Sequence, residues 1–383
     1  MGINVRSLPT VPWWWLIAGA ILLPAYVTLV HAQEGHPSFG GGGSSPGPEG
    51  SIPVGSEPIA LAISSDGSRL YVVNRDSFSV SVISIAKQAV SATIPVGPSP
   101  SSLLMTPDDR RIYVINNAAT PVGGNSVTAV ATESNAVLTT IPVGVAPYTG
   151  AFTPDGRLLY VTNFGGNSVT VIGVATNTVL KTMKVGGRPR AIAITPDGQK
   201  AYVVNSQDRT VSVIGVGTNT VGTTIPVGAF PTELVITRNG KHVYVANTND
   251  DTVSVIATAG DEVKATTRVE LGPRAFAASS DGSRVYVANY GSNSVSVIGT
   301  DTHRVLQTVD VGGGPVALAL SADGKTLYAA NQHSNTVSIL PTEDLSQHRQ
   351  VPVGFSPFAL AVAPNGGGVY VANLFSSSIS RVP

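Results

Sequence analysis

Along residues 189–228 apolar and polar positions fall into four short runs, each closed by turn-forming residues. Pro189 opens an apolar run, Ala191-Ile192-Ala193-Ile194, that ends at Asp197-Gly198, where glycine accepts a positive φ at low cost. Ala201-Tyr202-Val203-Val204 follows and stops at Asn205, and Thr210 to Ile214 alternates hydroxyl and aliphatic residues. Gly217-Thr218-Asn219 turns the chain again, and Val221 to Val227 makes a fourth run before Gly228. β-Branched and aromatic residues fill the runs while Gly, Asn and Asp occupy the breaks, which predicts four short antiparallel strands and no helix.

The same unit recurs along the chain. Tyr71, Tyr113, Tyr160, Tyr202, Tyr244, Tyr286, Tyr328 and Tyr370 are each followed three residues later by an asparagine, at Asn74, Asn116, Asn163, Asn205, Asn247, Asn289, Asn331 and Asn373. Successive copies lie 42, 47, 42, 42, 42, 42 and 42 residues apart. Four strands at that period describe one propeller blade, so the sequence predicts an all-β fold, a β-propeller of eight four-stranded blades. The first run of each unit keeps small residues at its second and fourth positions after the proline (Ala60/Ala62, Ala191/Ala193, Ala317/Ala319, Ala359/Ala361), as strands crowded around a central axis require.

The last unit stops at Pro383 after three runs, while Ser51-Ile52-Pro53-Val54-Gly55 matches the end of a fourth run, Ile94-Pro95-Val96-Gly97. An N-terminal strand is therefore expected to complete the eighth blade and remove its open edge.

Tyr-Val-X-Asn, the Ser/Thr-X-Asp-Gly turn (Ser64 to Gly67, Thr153 to Gly156, Thr195 to Gly198, Ser321 to Gly324) and Ile-Pro-Val-Gly recur in register over residues 51–383. This pattern resembles the YVTN family of β-propeller repeat proteins. The resemblance implies a secreted or periplasmic propeller whose relatives share no single activity. Many such propellers have seven blades, which stands as the alternative to the eight repeats counted here.

Outside the repeats, residues 1–32 contain Arg6 as their only charge, an apolar stretch from Trp13 to Val30 and the small-X-small triplet Val30-His31-Ala32. These features predict a signal peptide, with an uncleaved membrane anchor as the alternative, and hence a periplasmic or extracellular location. Residues 33–50, rich in Gly, Pro and Ser, read as a tether. The propeller then occupies residues 51–383. With no cysteine there is no disulfide, thiolate metal site or c-type haem attachment. Charge is sparse and balanced, 23 basic against 23 acidic residues, so no basic patch points to nucleic acid. A membrane is expected to be met only through an uncleaved N-terminal segment.

Residues just after each blade-opening proline are expected to rim the channel on the face carrying the loops between blades: Ile59, Ser101, Tyr148, Arg190, Thr232, Arg274, Val316 and Phe358. Arg190 and Arg274 break the small-or-apolar rule there, Glu233 stands where other blades mostly have alanine, and Arg188 precedes Pro189. Arg188, Arg190, Glu233, Arg274, Tyr148 and Phe358 form the candidate ligand-binding group. Either the arginines face an anion with Glu233 orienting them or taking a proton, or the three side-chain types close the mouth as an Arg-Glu-Arg ion-pair cluster. Phe164, Phe230, Tyr290, Phe355 and Phe375 fall on the same face, as binding floor or as loop packing. His333 is the one histidine in a loop there, too few for a metal site or triad. Asn247-Thr248-Asn249-Asp250-Asp251 offers oxygens but lacks EF-hand spacing. No metal or other cofactor is expected. The long second repeat places five extra residues in the loop 117–125, expected to overhang the mouth.

Two function classes follow. One is a non-catalytic scaffold binding a protein, a glycan or a small anionic ligand through this face. The other is a propeller enzyme of lactonase-like or related type, using the Arg/Glu group.

Overall fold

A computed structural model of the chain describes residues 50–117, 125–364 and 366–383. The leader, almost the whole tether and the inserted stretch 118–124 lie outside the described residues. Among those described, strands form eight four-stranded antiparallel sheets, confirming the all-β propeller. Blade 4 is typical, with strands Pro189–Ile194, Lys200–Asn205, Thr210–Gly215 and Thr220–Pro226 running from the axis outward. Blades 1 to 7 span 58–95, 100–142, 147–184, 189–226, 231–268, 273–310 and 315–352. Blade 8 takes three strands from 357–382 and its outermost strand, Ile52–Pro53, from the other end of the repeat region. Ile52 faces Ile379 and Pro53 faces Ser378, and the Val54 N–H donates to the Ser377 carbonyl at 2.9 Å. The ring therefore closes with eight blades, and the seven-blade alternative falls.

The core is a set of layers between blades rather than one centre. Tyr202, Val204, Val211 and Val213 of blade 4 pack against Leu234, Val243 and Val245 of blade 5, and equivalent clusters recur around the ring. Second and third strands are covered on both sides, so seven of the eight repeat tyrosines are at most 1% exposed. Several of their hydroxyls reach the turn between the third and fourth strands of the next blade: Tyr113 to Asn177 Oδ1 at 2.5 Å, Tyr202 to Asp261 Oδ1 at 2.6 Å, and Tyr244 paired with His303 Nδ1 at 2.9 Å. Burying the ring contributes about 1.5–3 kcal/mol and the phenol's bond about 1 kcal/mol, so the ring is the larger anchor.

The repeat asparagine holds its own blade together. Asn205 Nδ2 donates to Thr210 Oγ1 at 3.0 Å and to Ser212 Oγ at 2.9 Å, clamping the second strand to the third across their hairpin. The glycine of Ile-Pro-Val-Gly lies on that amide. A Cβ at Gly186 would sit 2.7 Å from Asn205 Cγ, so a larger residue there would have to displace the amide; blade 6 alone carries a larger residue, Glu270, at the equivalent position.

Innermost strands differ from the others in two ways that shape a site. Their residues are mostly half-buried, because they line a water-accessible channel. In addition, every blade shows a register shift between its first two strands directly after the opening proline. Such a shift frees the following side chain from ladder geometry and re-aims it. In blades 3 and 4 it spans Pro147 to Gly150 and Pro189 to Ile192, one residue longer than in the other blades.

Candidate functional site

The residues freed by these shifts meet at the channel mouth. Arg190 carries its guanidinium 5.4 Å from the centre of the Tyr148 ring and 5.9 Å from that of Phe230. Arg274 rests 4.9 Å above Tyr290. Arg188, held at φ 55° in an exposed loop, lies 5.7 Å from Phe164, whose ring is 6.1 Å from Tyr148. Blades 3 to 6 thus build a sector of arginines seated on aromatic faces, an arrangement that stabilises cations without neutralising them. Burial, and after it the charge of Arg190, holds the Arg274 guanidinium below the usual arginine range.

Glu233 sits one residue deeper, in the innermost strand Pro231–Ile236 of blade 5. The residue is half-buried beside the channel, but protein surrounds its carboxyl group, and this desolvation pushes its pKa up to about 7. The Leu234 N–H, donating to Oε1 at 3.0 Å, and the charge of Arg190 act in the opposite direction and only partly offset it. Among the described residues no ion pair joins Glu233 to any arginine, nor do Arg188, Arg190 or Arg274 pair with another acid. The Arg-Glu-Arg ion-pair cluster, one of the two arrangements the sequence allowed, is therefore not formed among the described residues.

Phe358 belongs elsewhere. It packs with Ile59, Leu103 and Leu374 where blades 8, 1 and 2 meet, on the far side of the ring from Arg190. Tyr148 joins the arginine sector, and its carbonyl accepts a bond from Ser101 Oγ at 3.0 Å. Phe164 and Phe230 serve as arginine supports, whereas Phe355 and Phe375 stand exposed on blade 8.

Sequence reasoning treated His333 as isolated, but its Nε2 lies 2.7 Å from the Tyr290 hydroxyl, which links it to the ring beneath Arg274. The two residues occupy the same hairpin loop in adjacent blades, one and two positions beyond Asn289 and Asn331. Their common loop in neighbouring blades was the available signal. Asp250 and Asp251 do not converge: Asp250 accepts from the Ala229 N–H and Asp251 from the Gly272 N–H at 2.9 Å. Among the described residues no group of three or more His, Asp or Glu is placed to hold a metal ion. The loop 118–124 lies outside the described residues, and its flanks Asn117 and Asn125 face each other across the hairpin.

A groove of about 600 Å³ on the outer wall, between blades 8 and 1, is lined by Pro53, Val54, Phe78, Val90 and Thr93 among others. It carries no charged side chain, so the candidate chemistry remains at the mouth.

A family model described as "Lactonase, 7-bladed beta-propeller" matches residues 149–225 and 182–306. The matched segment is less than half of the chain, falls in blades 3 to 6, and includes Arg190, Glu233 and Arg274. No curated protein matches. Among solved structures, a Kuenenia stuttgartiensis hydrazine synthase chain is similar, with 24% identity over 76% of this chain and 96% of that one, at a TM-score of 0.61. Dihydro-heme d1 dehydrogenase NirN, in complex with DHE, is similar at 14% identity over 81% of this chain and 69% of that one, at a TM-score of 0.69. At these identities the likeness is one of fold.

Proposed function

We propose that this protein is a secreted or periplasmic binding propeller that takes a small anionic ligand at the channel mouth, without catalysing its conversion. The observation that carries this reading is the pair Arg190 and Arg274, seated on aromatic rings at the mouth with no carboxylate paired to either. Partly buried cations left without a counter-charge are costly unless a ligand supplies one. The extracytoplasmic location rests on the composition of residues 1–32 and is tested by sequencing the N-terminus of the mature protein. A terminus at Gln33 in the soluble extracytoplasmic fraction supports it, and an intact Met1 or Gly2 terminus in membranes favours an anchor.

Lactone hydrolysis is the second reading, favoured by the family-model match over blades 3 to 6 and by Glu233. With a pKa of about 7 that carboxylate is suited to take a proton from an attacking water, and the adjacent arginines to stabilise the oxyanion formed. A thermal-shift screen of carboxylates, phosphates, sugars and lactones, run beside a pH-stat assay for lactone opening, separates the readings. The binding reading expects stabilisation by anions, abolished in Arg190→Ala/Arg274→Ala, and no acid release. Lactone opening that disappears in Glu233→Gln decides for the enzyme.

A further inference from the structure

Resting on that binding reading, we propose that the ligand is a small dianionic oxyanion, with the charge and form of a dicarboxylate or a phosphate, which bridges Arg190 and Arg274. Three features define this chemistry.

The first is the gap between the arginines. They come from blades 4 and 6, and the equivalent residue of the intervening blade 5 is Thr232. Thr232 is small, and its hydroxyl is turned aside to Thr248 Oγ1 at 2.7 Å, itself bonded to the Pro273 carbonyl at 2.8 Å. At the rim position itself blade 5 thus presents a small neutral residue, with Phe230 from its opening loop lying against Arg190.

The second is the direction of the free donors. Tyr148 and Phe230 flank Arg190 at 5.4 and 5.9 Å, and Tyr290 lies 4.9 Å from Arg274 and also meets it through a side-chain hydrogen bond, so aromatic rings rather than carboxylates hold both guanidiniums. The N–H groups project from the edges of the guanidinium plane, and an edge-on fork matches the paired oxygens of a carboxylate or phosphate. A neutral ligand or a flat apolar one gains little from that geometry.

The third is charge. Arg190 and Arg274 repel each other across the mouth, and Glu233 forms no ion pair with either. A monoanion leaves one guanidinium uncompensated, whereas a dianion neutralises both. Exposed Arg188, at the outer lip, adds a steering charge without a place in the bridge.

Isothermal titration of the full chain at low ionic strength, with succinate, inorganic phosphate and acetate as probes, tests the assignment. Succinate or phosphate is expected to bind at least about tenfold tighter than acetate, and which of the two binds identifies the source of the charge. Arg190→Gln and Arg274→Gln should each weaken the dianion by about tenfold to a hundredfold. Arg157→Gln, in an exposed turn on the opposite face, should leave it unchanged. Arg274→Lys keeps the charge but not the fork. Its melting temperature should match that of the parent while the dianion still binds more weakly, which separates recognition from folding. Equal affinity for acetate and the dianions overturns the bridge, as does indifference to both arginine substitutions. If none of the probes binds but another ligand from the screen is lost in the double arginine variant, the dianion is wrong and the binding reading stands. If no ligand depends on these arginines, both fail.

Discussion

Glu233 concentrates the chemical tension of the channel, because its surroundings favour the neutral acid. A carboxyl whose folded pKa lies near 7, against 4.5 in its ordinary state, is costly to ionise in the fold. The fold therefore keeps its full stability below about pH 4.5 with respect to this group, loses stability as pH rises towards 7, and stays lowered above it. The cost is on the order of 1–3 kcal/mol, since the residue is half-buried rather than sealed. Glu233→Gln should raise the melting temperature by a few degrees at pH 8 and by nothing at pH 4, as followed by circular dichroism across that range. An equal effect at both pH values would remove the desolvation argument. Glu233, Arg190 and Arg274 were legible in the sequence because each departs from the small or apolar residues at its repeat position. Their separation into an unpaired acid and ring-seated cations was not. It depends on the register shift after each proline and on which loop aromatics reach the guanidiniums; the aromatics were visible in the sequence, but not their pairing with particular arginines.

Within a blade almost everything could be read in advance, since its four strands are consecutive and their breaks carry Asp-Gly, Asn and Gly. Contacts between blades were harder to see, yet they too follow the repeat. The tyrosine hydroxyls of Tyr160, Tyr202 and Tyr244 find partners 59 residues onward, at Asn219, Asp261 and His303. All three partners have positive φ, a conformation that favours Asn and Asp among non-glycine residues. Asp261 is the most heavily used, accepting from Tyr202 through Oδ1 and from Lys200 Nζ through Oδ2 at 2.7 Å. Asp261→Asn should keep the tyrosine bond, as Asn219 does for Tyr160, and lose only the charge of the part-exposed Lys200 pair, at a cost of about 1 kcal/mol or less. Asp261→Ala should lose both bonds and the tolerance for positive φ, lowering stability by about 2–4 kcal/mol. A urea titration comparing the two variants checks this. If the alanine variant unfolds at the parent's midpoint, the inter-blade bonds contribute nothing net.

At the scale of the whole ring, the number of blades and the way they close came from counting. Eight tyrosine-asparagine pairs gave eight sheets, and the unmatched Ile-Pro-Val-Gly before the first repeat supplied the missing outer strand. The seven-bladed family description does not compete with that count, because its match ends within four blades. Closure joins residues more than 320 positions apart through a two-residue strand, so its strength must come from packing as well as from backbone bonds. Ile52, 3% exposed, shares a cluster with Ile379, Tyr370 and Ala372 of blade 8 and with Leu70, Val72 and Ile83 of blade 1. It therefore ties the last blade to the first. Deleting residues 51–55 should uncover Ile379 and leave the strand Ser378–Val382 as an open edge, a template for pairing with other chains. The truncated protein is expected to melt well below the parent and to form larger species in light scattering, while Ile52→Val, which keeps the strand and loses one methylene, should cost only about 1 kcal/mol. Truncated protein that stays monomeric and melts with the parent would mean that the other seven blades and three C-terminal strands close the ring unaided.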